Sequence, residues 1–86
     1  MQWKLFADLA EVAGTDQPAV ETDAETVGEA LAVLLETHPA LADRVTDDDG
    51  DLLAHVNLLR DGEPASLDTP VGSDDELALF PPVSGG

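Results

Sequence analysis

The most regular apolar pattern in this 86-residue chain is Thr26-Val27-Gly28-Glu29-Ala30-Leu31-Ala32-Val33-Leu34-Leu35-Glu36-Thr37. Apolar side chains recur there at positions i, i+3, i+4, i+7 and i+8, which is the spacing of one face of an α-helix. Thr26 and Glu29 match the capping-box pattern, so the helix is expected to begin at Thr26. Pro39 follows closely and stops it. The sequence therefore predicts one main helix with a single apolar face for packing on a sheet.

The residues before this helix predict two strands and a short helix. Residues 2–7 alternate in polarity, as a strand does when it has one buried face. Its two faces carry Trp3, Leu5 and Ala7 and, opposite them, Lys4 and Phe6. Asp8 is then placed to cap a short helix that ends at Gly14. A second strand is expected over residues 18–22, with Val20 facing inward.

Three further strands are predicted after the main helix, at residues 55–60, 63–65 and 76–80. Asp61-Gly62 is typical of a hairpin turn between the first two. The resulting order is strand, strand, main helix, strand, short strand, strand. It predicts an α+β fold of the β-grasp type, in which a mixed sheet of four or five strands packs on one main helix. We assign residues 1–80 to this single domain.

The composition is dominated by acidic residues. Nineteen Asp and Glu oppose Lys4, Arg44 and Arg60, which gives a formal net charge of −16. Phosphates would be repelled, so nucleic acid is not expected as a partner, whereas basic protein surfaces are. Acids spread over every surface segment are typical of adaptation to high salt, where screening reduces self-repulsion.

Neither catalysis by this chain nor a metal site is indicated. The chain has no Cys, and hence no disulfide, thiolate nucleophile or iron–sulfur ligand set. The acidic loop at 47–51 fails the EF-hand pattern at both ends, and His38 and His55 lack partners at zinc-ligand spacing. With no leader pattern and no apolar run long enough to span a bilayer, we expect a cytoplasmic protein without membrane contact.

The last six residues, 81–86, predict an extended, flexible tail. Pro81 and Pro82 stiffen the chain and remove two backbone donors. Gly85 and Gly86 can enter a slot too narrow for any Cβ atom, so the tail could carry its carboxylate into a partner's active site. The alternative is an ordinary frayed terminus.

Strand alternation places Phe6, Leu59 and Phe80 together on the outward face of the predicted sheet, beside Lys4. We call these three side chains the outer patch. An exposed apolar patch suits protein docking, although a loop or the tail could cover part of it instead. Lys4 is the only lysine in the chain, so it carries the only side-chain amine to which another copy's tail could be joined.

The two ends of the chain resemble the molybdopterin synthase small subunit family of MoaD and ThiS sulfur carriers. Within that family the resemblance is closest to the small archaeal modifier proteins of halophilic archaea. The stretches that carry it are WKLFADLAEVAG at 3–14 and DELALFPPVSGG at 75–86. The FPPVSGG ending is specific, whereas a lone Gly-Gly would be a weak signal.

This resemblance implies a ubiquitin-like protein modifier and sulfur carrier that is itself a substrate and not an enzyme. An activating enzyme would use ATP and magnesium to adenylate Gly86, while Gly85 gives passage into its active site. The product would become a thiocarboxylate for the large subunit of molybdopterin synthase, or an isopeptide bond to lysines of target proteins. The resemblance also implies docking through an apolar sheet face. Two other functions remain open: a non-covalent acidic binding module, and an acidic mimic of nucleic acid.

Overall fold

A computed structural model describes residues 1–18, 20, 23–53, 56–72 and 74–81. Within these ranges four strands form one mixed sheet. The strands are β1 (Gln2–Leu5), β2 (Asn57–Arg60), β3 (Glu63–Pro64) and β4 (Glu76–Phe80). The helices are α1 (Asp8–Ala13), α2 (Val27–Thr37), a 3₁₀ turn (Pro39–Leu41) and α3 (Ala42–Val45). None of these described helices has the length and hydropathy of a membrane-spanning segment.

The sheet has the strand order β1-β4-β2-β3, so the first and last strands of the chain lie side by side. β1 and β4 are parallel, while β2 runs antiparallel to both β4 and β3. The parallel pair needs a long crossover connection, which the segment containing α2 provides. This mixed sheet confirms the predicted β-grasp arrangement.

The core lies between the inner face of the sheet and the apolar stripe of α2. In register across β1, β4 and β2, Leu5 is opposite Leu79 and Leu79 is opposite Leu58. The fully or almost fully buried apolar side chains include Trp3, Leu5, Leu58, Leu77 and Leu79 of the sheet and Val27, Ala30, Leu31 and Leu34 of α2. Leu35 is only half-buried, at the margin of the helical stripe. The predicted helix face is therefore confirmed except at its edge.

The main helix begins as its sequence predicts, with one change in the bonding. The Glu29 amide donates to Thr26 Oγ1 at 3.3 Å, as in a capping box. The Glu29 carboxylate, however, accepts from the Glu25 amide at 3.3 Å, one residue before the expected partner. Gly28 packs against the loop at Leu67, whose carbonyl oxygen would lie 3.1 Å from a Cβ at position 28. A side chain at position 28 would therefore require the backbone at Leu67 to shift by a few tenths of an ångström, which favours glycine there.

The segment after β1 differs from the prediction. Ala7 adopts φ 53° and is exposed, so it lies at the N-cap of α1 and outside the sheet. Asp8 is the first residue of α1, and the cap residue makes no side-chain hydrogen bond to the helix within the described structure. The Asp8 carboxylate instead accepts from Arg44 Nη1 at 3.0 Å. The predictions that Ala7 faces inward and that Asp8 caps the helix are wrong, because the chain turns sharply one residue earlier than alternation indicates. Gly14 ends α1 with φ 82°, as predicted.

The remaining strands are shorter than expected. Pro18 and Val20 are buried without belonging to a strand, and residues 19, 21 and 22 of the predicted second strand lie outside the described residues. Val20 does face inward. The third predicted strand begins at Asn57, and residue 55 lies outside the described residues. Asp61 and Gly62 have φ 50° and 87°, which fits the predicted hairpin turn of type I′.

Candidate functional site

The outward face of the sheet brings the predicted patch residues together. Lys4 of β1 lies opposite Ala78 of β4, and Ala78 lies opposite Leu59 of β2. Leu59 in turn lies opposite Pro64 of the edge strand β3. This row crosses the whole described sheet. Lys4 is the one polar side chain in this row, so the row is apolar apart from a single cation.

Phe6 and Phe80 form the centre of the outer patch. Their ring centroids are 4.2 Å apart and the rings are inclined by 6°, which is a stacked arrangement. Phe80 is half-buried, while 39% of Phe6 is exposed. Each ring therefore covers one face of the other and leaves apolar surface facing solvent. An aromatic pair of this kind contributes about 0.5–1.5 kcal/mol beyond its buried area.

This aromatic pair lies where the chain leaves the sheet. Phe80 is the last residue of β4, and Pro81 follows it directly. Gly85 and Gly86, the predicted reactive end, lie outside the described residues, as does the tail from residue 82 onward. The outer patch is thus joined directly to the first residue of the tail, because Phe80 precedes Pro81 in the chain.

Lys4 lies within the same face and is not isolated. Its Nζ is 3.4 Å from Glu76 Oε2, and the two side chains are 38% and 41% exposed. The pair is consistent with the strand register, which sets Lys4 two residue pairs beyond Glu76 and therefore on the same side of the sheet. Because both groups are well solvated, the contact adds little to stability. It does hold the amine on the outer face of the sheet.

A cavity of about 200 Å³ opens beside β1, next to the patch. It is lined by Lys4, Leu5, Phe6, Asp16 and Gln17. The Leu5 amide donates to the Asp16 carbonyl at 2.8 Å, which closes the cavity on the side of the loop after α1. The cavity extends the outer patch around the edge of the sheet.

The other end of β4 is fixed by a polar cluster around Asp75. Asp75 Oδ2 accepts from the Gly72 amide at 2.7 Å and from Arg60 Nε at 3.1 Å. The Gly72 bond, followed by the charge of Arg60, lowers the pKa of Asp75 below its ordinary value of 3.8. Asp61 adds two bonds to Glu76: its amide donates to the Glu76 carbonyl at 2.8 Å, and its Oδ1 accepts from the Glu76 amide at 3.0 Å. These contacts fix the hairpin to the start of β4.

The three basic side chains of the sequence all form ion pairs. Lys4 contacts Glu76, Arg44 contacts Asp8, and Arg60 contacts both Asp75 and Asp61. Few of the nineteen acids are therefore neutralised, and the net charge of −16 is carried by the surface. A partner surface with basic groups would be attracted over a range set by the ionic strength.

The acidic loop at 47–51 is closed by one of its own carboxylates. Asp47 Oδ1 accepts from the amides of Asp49 and Asp51 at 2.9 and 3.1 Å, so this carboxylate is used in closing the loop. In the ranges that the structure describes, no three metal-binding side chains are grouped for an ion. His38 is half-buried at the end of α2, and its amide donates to the Leu34 carbonyl. His55 lies outside the described residues.

Sequence reasoning missed the residues that connect the patch. Ala78, Pro64 and Glu76 share the outer face, and Glu76 orients the amine of Lys4. The alternation within β4 was a sufficient signal for Glu76 and Ala78, since both are two-residue steps from Phe80. Predicting the contact between Lys4 and Glu76 requires the register of β1 against β4, which a single sequence does not give.

This chain combines a β-grasp domain, an apolar outer patch and, directly after Phe80 of that patch, the PPVSGG segment at 81–86. This combination defines a ubiquitin-like protein. The chain belongs to the ThiS family, whose family model matches residues 3–86. Small archaeal modifier protein 1 of Haloferax volcanii is 59% identical over 87 residues, with 100% of both chains covered. The crystal structure of SAMP1 from Haloferax volcanii matches with a TM-score of 0.93 at 59% identity, covering 100% of this chain and 98% of that one.

A bacterial relative extends the comparison. The Molybdopterin synthase sulfur carrier subunit of Escherichia coli is 42% identical over 83 residues, covering 94% of this chain and 93% of that protein. These relationships give the chain the role of a ubiquitin-like modifier and sulfur carrier. They also agree with the halophilic composition, since a close relative is from a Haloferax species.

Proposed function

We propose that the carboxyl group of Gly86 is the reactive group of this protein and that the folded domain presents it to partner enzymes. The family match that extends to residue 86 supports this assignment. A carboxylate is a poor electrophile, so an activating enzyme must first join it to AMP. That enzyme, and not this chain, binds the ATP and magnesium. The chain is therefore a substrate of the activating enzyme.

The acyl adenylate has two fates. The terminal sulfur of a partner's persulfide attacks the acyl carbon and displaces AMP, which gives an acyl disulfide. A second thiol of the partner then reduces the S–S bond, so that a disulfide remains on the partner and this chain is released as a thiocarboxylate. The large subunit of molybdopterin synthase uses that thiocarboxylate to build the cofactor. Alternatively, a lysine amine of a target protein displaces AMP and forms an isopeptide bond to Gly86. The names of the two relatives, one a modifier and one a sulfur carrier subunit, support both fates. We expect both in the cytoplasm.

The observation that carries this proposal is the position of the stacked Phe6 and Phe80 rings beside Pro81. An enzyme surface that covers these rings would lie next to Pro81, the first residue of the tail. Six residues in extended form reach about 20 Å, enough to enter an active site next to the docking surface. Gly85 has no side chain to obstruct that passage. Basic groups around the enzyme's apolar surface would complement the charge of this domain.

Deletion of Gly85 and Gly86 tests the proposal. We expect the truncated chain to keep its circular dichroism spectrum and unfolding midpoint in molar KCl, because the deleted residues follow the last strand. Adenylate formation, measured as pyrophosphate exchange with the purified activating enzyme, should be abolished. The variant Ser84→Ala is the control, since it keeps the length and the carboxylate, and it should react like the native chain.

The other functions predict different results. Continued pyrophosphate exchange by the truncated chain would overturn the assignment of Gly86. A non-covalent binding module would retain its cellular function after the deletion. A nucleic-acid mimic would also tolerate the deletion but would fail when clusters of acids are reversed in charge.

A further inference from the structure

We infer that conjugation at Lys4 and activation at Gly86 exclude each other within one copy of the protein. This inference rests on the proposed function. In the conjugation step, the unprotonated Nζ of Lys4 attacks the carbonyl carbon of an adenylated Gly86 from a second copy. The C–N bond forms, the C–O bond to AMP breaks, AMP departs and the amine proton passes to solvent. The second copy is then attached to the docking surface of the first.

The strand register places Lys4 inside the surface that a partner must cover. Lys4 is one strand away from Ala78 and two strands away from Leu59, which corresponds to about 10 Å for the longer separation. Phe80 lies one strand and two residues away, or about 8 Å. A standard protein interface covers about 800 Å² on each partner, a disc roughly 16 Å in radius. An interface centred on Phe80 therefore includes Lys4.

The amine is accessible before conjugation and faces solvent on that side. The Lys4 side chain is 38% exposed, although the neighbouring Trp3 and Leu5 are buried in the core. Its contact with Glu76 holds it on the outer face. Acylation would remove its positive charge, changing the formal net charge from −16 to −17, and would leave Glu76 without this ion pair. The attached copy would add both bulk and negative charge to the patch.

The consequence concerns conjugates of two copies. In such a pair the copy modified at Lys4 has the free Gly86, but its outer patch is covered. The other copy has a free patch, but its Gly86 is already used. Two copies joined in this way, but not yet attached to a target protein, can therefore not be activated and transferred to the target as a unit. Chains grow only when a single activated copy is added to the exposed Lys4 of the last one.

The absence of Cys from the sequence allows a direct test of this exclusion. Lys4→Cys and Ala32→Cys each introduce a single thiol, the first on the outer face and the second on the exposed side of α2. Each variant is coupled to a thiol-reactive polyethylene glycol of about the protein's own mass. Pyrophosphate exchange is then compared for the same variant before and after coupling. Iodoacetamide treatment of both variants serves as the small-label control.

We expect the polymer at position 4 to lower kcat/KM for adenylation by about tenfold or more, and the polymer at position 32 to change it by less than about twofold. A change of less than twofold at position 4 would overturn the exclusion while leaving the activation of Gly86 intact. Equal losses at positions 4 and 32 would also overturn it, since the effect would not depend on the face. If the unlabelled native chain forms no adenylate, the proposed function itself fails.

Discussion

The two faces of the sheet are built from the same strands but have different tasks. On the inner face, Trp3, Leu77 and Leu79 are completely buried, so their side chains have no contact with solvent. On the outer face, Phe80 and Leu59 are half-buried and Phe6 is exposed. Burial on one side provides stability, while partial burial on the other leaves apolar surface exposed, and we propose that a partner covers it. Changes on the two faces should therefore separate stability from docking.

The largest effect is expected from Leu77→Ala on the inner face. Removing a fully buried Leu side chain loses its transfer free energy and leaves a cavity, so the free energy of unfolding should fall by about 2–5 kcal/mol. For a domain of this size that is a large fraction of the total stability. Urea unfolding in molar KCl, followed by the fluorescence of Trp3, measures it.

The neighbouring residue on β4 provides the control for this change. Ala78→Ser alters the outer face of the same strand, where the side chain is only half-buried. Its effect on the free energy of unfolding should stay within about 0.5 kcal/mol. Similar losses for Leu77→Ala and Ala78→Ser would contradict the division between the faces.

The second prediction concerns Phe80→Ala on the outer face. It removes the stacked ring and part of the apolar surface, so we expect a stability loss of about 1–2 kcal/mol. Activation should suffer more: kcat/KM for adenylation should fall by about tenfold or more, since aromatic anchors dominate many interfaces. Pyrophosphate exchange and urea unfolding of the same preparation give both quantities.

A matched apolar deletion far from the patch is available at Leu35. This side chain is half-buried on α2, so Leu35→Ala should cost a comparable amount of stability. It should leave activation within about twofold of the native chain. If Leu35→Ala lowers activation as much as Phe80→Ala does, the loss comes from reduced stability and the outer patch has no docking role.

Much of this division could be predicted from the sequence, because alternation of polar and apolar residues assigns each side chain to a face. That rule places Leu59 and Phe80 on the outward face, and the structure confirms this, with Leu58, Leu77 and Leu79 buried on the opposite face. The rule failed after Leu5, where Ala7 takes a positive φ and leaves the strand. An alanine gives no local signal for that conformation, which is imposed by the turn into α1.

The candidate site was less predictable than the fold. Its three apolar members could be found because each directly follows or precedes a core residue in the chain, which places it on the opposite face: Phe6 follows Leu5, Leu59 follows Leu58, and Phe80 follows Leu79. The stacking of Phe6 on Phe80 and the contact of Lys4 with Glu76 depend on how β1 and β4 are aligned. That alignment is set by the crossover and by the whole core. Of the two bonds to Asp75 Oδ2, one comes from Arg60 of β2 and the other from the loop at Gly72, whose path no local pattern indicates.

The inner face also has a polar end, which gives the smallest of the expected effects. Arg60 is opposite Leu77 in the register, yet it is partly exposed and contacts Asp75 at the edge of the sheet. The inner face therefore changes from apolar packing to charge-assisted bonds within one residue pair. Stability at this end should depend on pH, whereas stability from Leu77 should not.

Asp75→Asn tests this difference. The folded-state pKa of Asp75 is lowered by the Gly72 amide and by Arg60, so the charged carboxylate stabilises the fold above the unfolded-state pKa of about 4. This contribution is lost as the pH falls through the lower, folded-state pKa. We therefore expect Asp75→Asn to be less stable than the native chain at pH 7 and to approach it below pH of about 4. Asp74→Asn makes the same change in net charge at an exposed neighbour and is the control for self-repulsion. Urea unfolding in molar KCl measures the free energy of unfolding of both variants across this pH range. The same pH dependence in the two variants would contradict the assignment.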